Sequence, residues 1–233
     1  MTSKAMAAAA LAAVALGAYL IAGSSNPALA ASPSSVPAPA YDNPLATKSG
    51  EEVAVFAGGC FWGIQAVYQH VVGVKSAVSG YTGGHHALPT YRDVTTGRTG
   101  HAESVRIVYD PSKVTYGTLL RVLFAVAHDP TQLNRQGPDV GTHYRSHIFY
   151  TTDAQKKIAA AYIDQLGKAK VYSRPIVTKL SSLGAFTVAE DYHQNYANEH
   201  PNDMYIRIHD APKVASLKRD FAQLYKEELS AWK

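Results

Sequence analysis

The chain has 233 residues, with 22 Lys and Arg against 18 Asp and Glu for a net charge of +4. That length suits one compact domain with tails, and so small a charge excess supplies no basic patch for nucleic acid. Aromatics are plentiful for a core, with 15 Tyr, 6 Phe and 2 Trp, and there is one cysteine, Cys60. Residues 1–30 open with "MTSK", a short positive start, and run from Ala5 to Gly23 without a charge. "NPALA-AS" then offers a small-x-small site for cleavage after Ala30, so the segment reads as a secretory signal peptide. An uncleaved membrane anchor is the alternative, because the apolar run is long enough to span when stretched. Residues 31–50, "ASPSSVPAPAYDNPLATKSG", are rich in Pro, Ser and Ala and read as a flexible tether. The folded domain is therefore expected to cover 51–233.

Within it, "VAVFA" (53–57) is a short apolar run closed by Gly58 and Gly59, and predicts a buried strand. "CFWGIQAVYQHV" (60–71) places Phe61, Ile64, Val67, Tyr68 and Val71 at helical spacing, with Gly73 as the stop. Strands are predicted at "VKSAVSGYT" (74–82), "SVRIVYD" (104–110) and "YRSHIFYT" (144–151), and an amphipathic helix at "TYGTLLRVLFAVAH" (115–128). A helix from Asp153 to Leu166, with Asp153 as N-cap, a strand at "IVTKL" (176–180), and helices at "DYHQNYANEH" and "PKVASLKRDFAQLYKEEL" complete the chain. The order over 53–151 is β-α-β-β-α-β. It implies an α+β two-layer sandwich on the split ferredoxin-like plan, with C-terminal helices added. Two long loops, Gly83 to Gly100 and His128 to His143, exceed the usual length inside a compact domain, which marks them as functional or disordered.

Cys60 falls at the junction of the first strand and the first helix, in the first helical turn. A thiol there faces unpaired N–H groups and the positive end of the helix dipole, and both favour thiolate. In an exported chain a lone cysteine implies an intermolecular bond or a reactive free thiol. The alternative is an inert Cys packed as a small hydrophobe. Phe61 and Trp62 point about 100° apart on a helix, so one faces the sheet and the other a cleft or second layer.

"GCFWG" beside "GYTGG", "PTYRDV" (89–94), "TGHAESVRIVYDP" (99–111), "GPDVGTHYRSHIFY" (137–150) and "AEDYHQNY" (189–196) resembles the class A peptide methionine sulfoxide reductases, in order, from about Val53 to Pro212. The resemblance implies Cys60 as the nucleophile that attacks the sulfoxide sulfur, and Glu103 as the acid that protonates its oxygen. It implies Tyr91 and Tyr144 as hydrogen-bond donors to that oxygen, and Phe61 and Trp62 as the seat of the substrate methyl. Asp139 and His193 line the site and orient water and side chains. For Glu103 to act as an acid it must bind substrate protonated, which burial and a neighbouring thiolate would favour. The product pair is methionine and a Cys60 sulfenic acid, which a thiol reduces.

Many members of that family carry further cysteines near the C-terminus that resolve the sulfenic acid as a disulfide, and this chain has none. Recycling is then expected from an external thiol, a thioredoxin-like protein or a small thiol, with no bound cofactor or metal. Position 65 is Gln where the family often has Glu, and little effect is expected there. The expectation is thus an exported repair enzyme, periplasmic or secreted, acting on oxidised proteins and free methionine sulfoxide of the S epimer. It makes no stable membrane contact if the signal is cleaved. A peroxide-scavenging thiol and a non-enzymatic docking module for oxidised Met are the rival classes.

Overall fold

A computed structural model describes residues 36–232. The segment read as a signal peptide and the first part of the tether lie outside the described residues, and no described helix is long and apolar enough to cross a membrane. Six strands form one sheet: β1 (Glu52–Gly58), β2 (Val74–Thr82), β3 (Ala102–Tyr109), β6 (Ser146–Tyr150), β7 (Lys179–Ser182) and β8 (Phe186–Val188). A two-residue hairpin, β4 (Arg135–Gln136) and β5 (Asp139–Val140), stands apart. The sheet order is β7-β6-β1-β3-β2-β8, and its inner four strands are antiparallel throughout. That is the split β-α-β-β-α-β arrangement expected from the sequence. The edges go beyond it: β7 adds parallel to β6, making the sheet mixed, and β8 adds antiparallel to β2.

The main core lies between the sheet and α1 (Phe61–Gln69), α3 (Tyr116–Val122) and α4 (Asp153–Lys168). Ala54 and Phe56 of β1 meet Ile64, Val67 and Tyr68 of α1, Leu119 and Leu120 of α3, and Ile158 and Tyr162 of α4. The opposite face of β1 is also dry. Val55 and Ala57 pack with Ala102 and Phe149 under Leu183 and Phe186, which explains why β1 reads as continuous rather than alternating apolar sequence.

Several elements depart from expectation. The tether is not free over 36–50: Val36 is fully buried, and its carbonyl accepts from Arg121 Nε at 3.0 Å. Tyr162 Oη donates to the Pro37 carbonyl at 2.7 Å, and Asp42 Oδ1 accepts from Gly117 N at 3.0 Å, in the first turn of α3. Prolines lack the N–H that a sheet ladder needs, but the carbonyls of the segment remain good acceptors for side chains of the domain. The domain therefore starts before Glu51. The expected 115–128 helix is α-helical only to Val122, and Leu123–Ala127 closes as a π turn. Thr152, not Asp153, caps α4, its hydroxyl accepting from Gln155 N at 3.2 Å.

"DYHQNYANEH" is not one helix. A 3-10 turn (Asp191–His193) is separated from α5 (Tyr196–Glu199) by Gln194 in extended conformation and Asn195 at φ 57°. The reason is the Gln194 side chain, which is buried and bonds both backbone groups of Ser79, 3.0 Å from its N and 2.9 Å from its O. The last helix, α6 (Ala211–Asp220), also stops early. Phe221 drops into the core, and the tail returns along α1 through Lys226 N to His70 O and Ser230 N to Gln69 O.

Candidate active site

β1 delivers the chain to Gly58 and Gly59, and each glycine has its own cause. A Cβ on Gly58 would lie 2.8 Å from the buried ring of His128, while Gly59 sits at φ 106°, where L side chains are strained. The chain then turns into α1 with Cys60 at the N-cap rather than inside the first turn. No side chain caps this helix, so its first N–H groups are free for other partners. Phe61 N donates to Glu103 Oε2 at 3.0 Å, and Trp62 N donates to the Cys60 sulfur.

Glu103 reaches this point because β3 starts two residues earlier than its sequence pattern suggests, pairing Glu103 with Tyr81 of β2. It is 1% exposed, so water does not reach its carboxyl. Burial raises its pKa to about 8; Asp139 and Asp210 push the same way, and the Phe61 N–H opposes them. The carboxyl is therefore protonated at neutral pH, the form that chemistry on a sulfoxide oxygen needs.

The thiol behaves otherwise than its place at a helix N-terminus suggests. Cys60 is buried, and its pKa is raised by burial first, then by Glu103 and Asp210; Trp62 N–H and Lys213 oppose. A helix N-terminus contributes about 0.3–1 kcal/mol to an anion, which loss of hydration outweighs. The resting site thus holds two protons, one on Cys60 and one on Glu103.

Tyr91 enters on α2 (Tyr91–Thr95), a short helix inside the first long loop. Thr90 and Asp93 form a capping box there, and Glu190 accepts from Tyr91 N at 2.8 Å and from Tyr81 Oη at 2.8 Å. Tyr144, expected to open the strand at 144–151, instead ends the 3-10 turn Thr142–Tyr144, which lengthens the second long loop, and β6 begins only at Ser146. Tyr144 hydrogen-bonds to the Tyr91 hydroxyl, and ionisation of Glu103 or Cys60 would hold both phenols protonated. Burial keeps both phenols neutral, as donors.

His193 is buried among Phe61, Trp62 and Tyr91, with ring centroids 5.1, 5.9 and 4.4 Å away. Its Nδ1 accepts from the Trp62 indole at 3.3 Å, so Nε2 carries the proton, and that atom has no partner among the described residues. Asp139 lies on β5 and accepts from Tyr205 Oη. The fold therefore gathers Cys60, Phe61, Trp62, Glu103, Tyr91, Tyr144, Asp139 and His193 into one neighbourhood, from α1, β3, both long loops and the C-terminal segment.

Other members were not legible in the sequence. Tyr196 stacks on Trp62 at 3.9 Å, and Tyr205 meets the same ring edge-on at 6.0 Å. Gln65, expected to matter little, is 1% exposed; its Nε2 donates to Ala77 O at 3.0 Å and Gln194 Oε1 at 2.9 Å, and its Oε1 accepts from Asn195 N at 2.8 Å. It ties α1 to the loop that carries His193. Asp210 is fully buried, which nothing in its local sequence "IRIHDAPK" indicates. No cluster of three or more His, Cys, Asp or Glu able to hold a metal ion occurs among the described residues.

A protein-family model described as peptide methionine sulfoxide reductase matches residues 52–225. The chain is 61% identical over 179 residues to a Mesorhizobium japonicum protein named peptide methionine sulfoxide reductase MsrA 2, covering 77% of this chain and 92% of that one. It is 49% identical over 198 residues to a protein of the same name from Synechocystis, covering 84% and 91%. Among solved structures, methionine sulfoxide reductase A of Corynebacterium diphtheriae aligns with a TM-score of 0.57 at 37% identity, over 66% of this chain and 77% of that one. The reduced form of Mxr1 from Saccharomyces cerevisiae aligns with a TM-score of 0.56 at 30% identity, over 66% and 91%. With sequence, family model and fold in agreement, the chain belongs to the class A peptide methionine sulfoxide reductases, with peptide-methionine (S)-S-oxide reductase activity.

Proposed function

We propose that the chain reduces the S epimer of methionine sulfoxide, protein-bound and free, through a Cys60 sulfenic acid that an external thiol recycles. The observation that carries this reading is the buried, protonated Glu103 held on the N–H next to Cys60. The substrate methyl sits against Phe61 and Trp62, and Tyr91 and Tyr144 donate to the sulfoxide oxygen. Glu103 gives its proton to that oxygen as Cys60 Sγ bonds to the substrate sulfur. The thiol proton replaces the one Glu103 has lost. The hydroxylated sulfur centre then collapses: the hydroxyl passes from the substrate sulfur to Cys60 Sγ as the bond between the two sulfurs breaks, so methionine leaves and Cys60 holds the oxygen as S–OH. While Glu103 is ionised, the Phe61 N–H stabilises it, since a hydrogen bond to a charged form favours that form. Asp139, anchored by Tyr205, and His193, anchored by Trp62, hold the walls, with the His193 Nε2–H unpaired among the described residues.

Cys60 is the only cysteine of the chain, so both sulfurs of the recycling disulfide come from elsewhere. One reductant thiol displaces hydroxide from Cys60 as water and forms a mixed disulfide. A second thiol, on the same thioredoxin-like protein or a second small molecule, releases Cys60. Mass spectrometry after one turnover without reductant tests this: Cys60 should gain one oxygen atom. Turnover of resolved epimers with dithiothreitol tests the stereochemistry, and equal rates on R and S would overturn it. The charge-free run after Lys4 and the "ALA-AS" site support export to the periplasm or beyond. An N-terminus of the exported protein at Ala31 is the expected reading, and retention of the apolar run in a membrane fraction would replace it with an anchor.

A further inference from the structure

A buried ion pair packs against the helix that begins at the thiol. The π turn Ile206–Asp210 hands over to α6 at Asp210, whose side chain is fully buried. Its Oδ1 accepts from Lys213 Nζ at 3.0 Å, and its Oδ2 has no partner among the described residues. The pair lies against the first turn of α1: a Cβ on Gly63 would fall 2.0 Å from Asp210 Oδ1 and 2.9 Å from Lys213 Nζ. Gly63 is three residues beyond Cys60, and a glycine weakens a helix interior. α1 therefore gives up a side chain to let an ion pair into the turn that begins at the thiol. Stability alone does not account for this, because desolvating two charges offsets much of their attraction, and here one oxygen is left unbonded.

The two charges act on Cys60 with opposite sign, Asp210 against the thiolate and Lys213 for it. The other groups facing the thiol are Glu103 from β3, Tyr91 from α2, Tyr144 from its 3-10 turn and Tyr205 from the start of the π turn. Asp139 on β5 acts on Glu103, and buried His128, after the other π turn, feels Lys213. Tyr91, Tyr144 and Tyr205 stay neutral in their burial, and burial keeps His128 neutral too. Among the described residues, Lys213 is thus the cation that acts on the sulfur.

We propose that Lys213, held in place by Asp210, is a positioning residue that sets how readily Cys60 ionises, its ammonium supporting the thiolate and its carboxylate partner restraining it. The proposal rests on Cys60 being the nucleophile. The test is the pH dependence of iodoacetamide alkylation of the full chain, where the single cysteine makes labelling unambiguous, together with kcat/KM on free methionine sulfoxide.

Lys213→Met should move the alkylation midpoint up by about one pH unit, as loss of a nearby opposite charge does. It should lower kcat/KM about tenfold at neutral pH. Asp210→Asn should move the midpoint down, and the double variant should return it towards the native value. A packing role would move neither midpoint, or both the same way, and either result overturns the proposal. If Asp210→Asn does not fold, recovery in the double variant of a midpoint raised in Lys213→Met still decides, and absence of recovery overturns it. Cys60→Ser separates the two readings: turnover surviving there sinks the nucleophile, whatever Lys213 does to alkylation.

Discussion

Glu103 and Cys60 share one helix N-terminus, and burial acts on them alike by keeping both protonated. For a general acid that is an asset, and it makes the pH behaviour specific. The acid is in its working form below about 8, so the rate of sulfoxide reduction should fall as pH rises through that value. Glu103→Gln should lower kcat/KM by about 100- to 10,000-fold and remove that alkaline limb, while Cys60 remains open to iodoacetamide. The same residue leaves a mark on stability. A carboxyl whose folded pKa is raised contributes stability present in full below its unfolded value of 4.5 and lost as pH rises through about 8. Glu103→Gln should therefore gain Tm relative to the native chain between pH 5 and pH 8.5, measured by calorimetry. A difference that stays flat across that range would mean Glu103 is not protonated in the fold.

At the scale of elements, the site depends on contacts that let segments approach closely. Gly63 is the clearest, because no side chain fits between α1 and the Asp210–Lys213 pair. Gly63→Ala, which would favour the helix in isolation, should instead destabilise the chain by about 1–3 kcal/mol through overpacking, read from the urea midpoint. Gln65 is the second. It donates to two oxygens and accepts from one N–H, a pattern an ionised Glu cannot supply. Gln65→Leu should cost about 1–3 kcal/mol for the groups left unpaired. Through the Asn195 turn it should also raise KM as His193 and Tyr196 lose their setting against Trp62. Neither residue announced itself: Gly63 reads as a weak helix position, and Gln65 as a polar residue on an amphipathic helix. Apart from Ala77 O on β2, their partners lie 129 to 150 positions away and come into contact only when the C-terminal segment folds over α1.

For the whole molecule, the ferredoxin-like core and its wrappings have separate tasks. The four inner strands place Cys60 and Glu103, and the wrappings complete the walls: Tyr91 and Tyr144 from long loops, His193, Tyr196 and Tyr205 from the C-terminal third. Residues 36–50 belong with the wrappings, since Val36, Pro37 and Asp42 bond to α3 and α4 and to none of the residues of the candidate site. Removing residues up to 50 should lower the unfolding midpoint, exposing Val36's site on the core and leaving Arg121 and Tyr162 without their carbonyls. kcat on free methionine sulfoxide should stay near the native value at temperatures where the shortened chain is folded.

What the sequence by itself determined was the local and the ordered. Alternation and helical spacing placed β1, α1, β2 and β3, and their order implied the sheet, because short connections leave few topologies. The ordered motifs around Cys60 carried the family and the candidate site. Tertiary structure alone decided burial and its electrostatic consequences. Nothing local says that Glu103 is dry, that a thiol at a helix N-terminus stays protonated, or that an ion pair from α6 occupies the place of a side chain at Gly63. Those properties arise from groups more than forty residues apart, and desolvation depends on what surrounds a residue rather than on its neighbours in the chain.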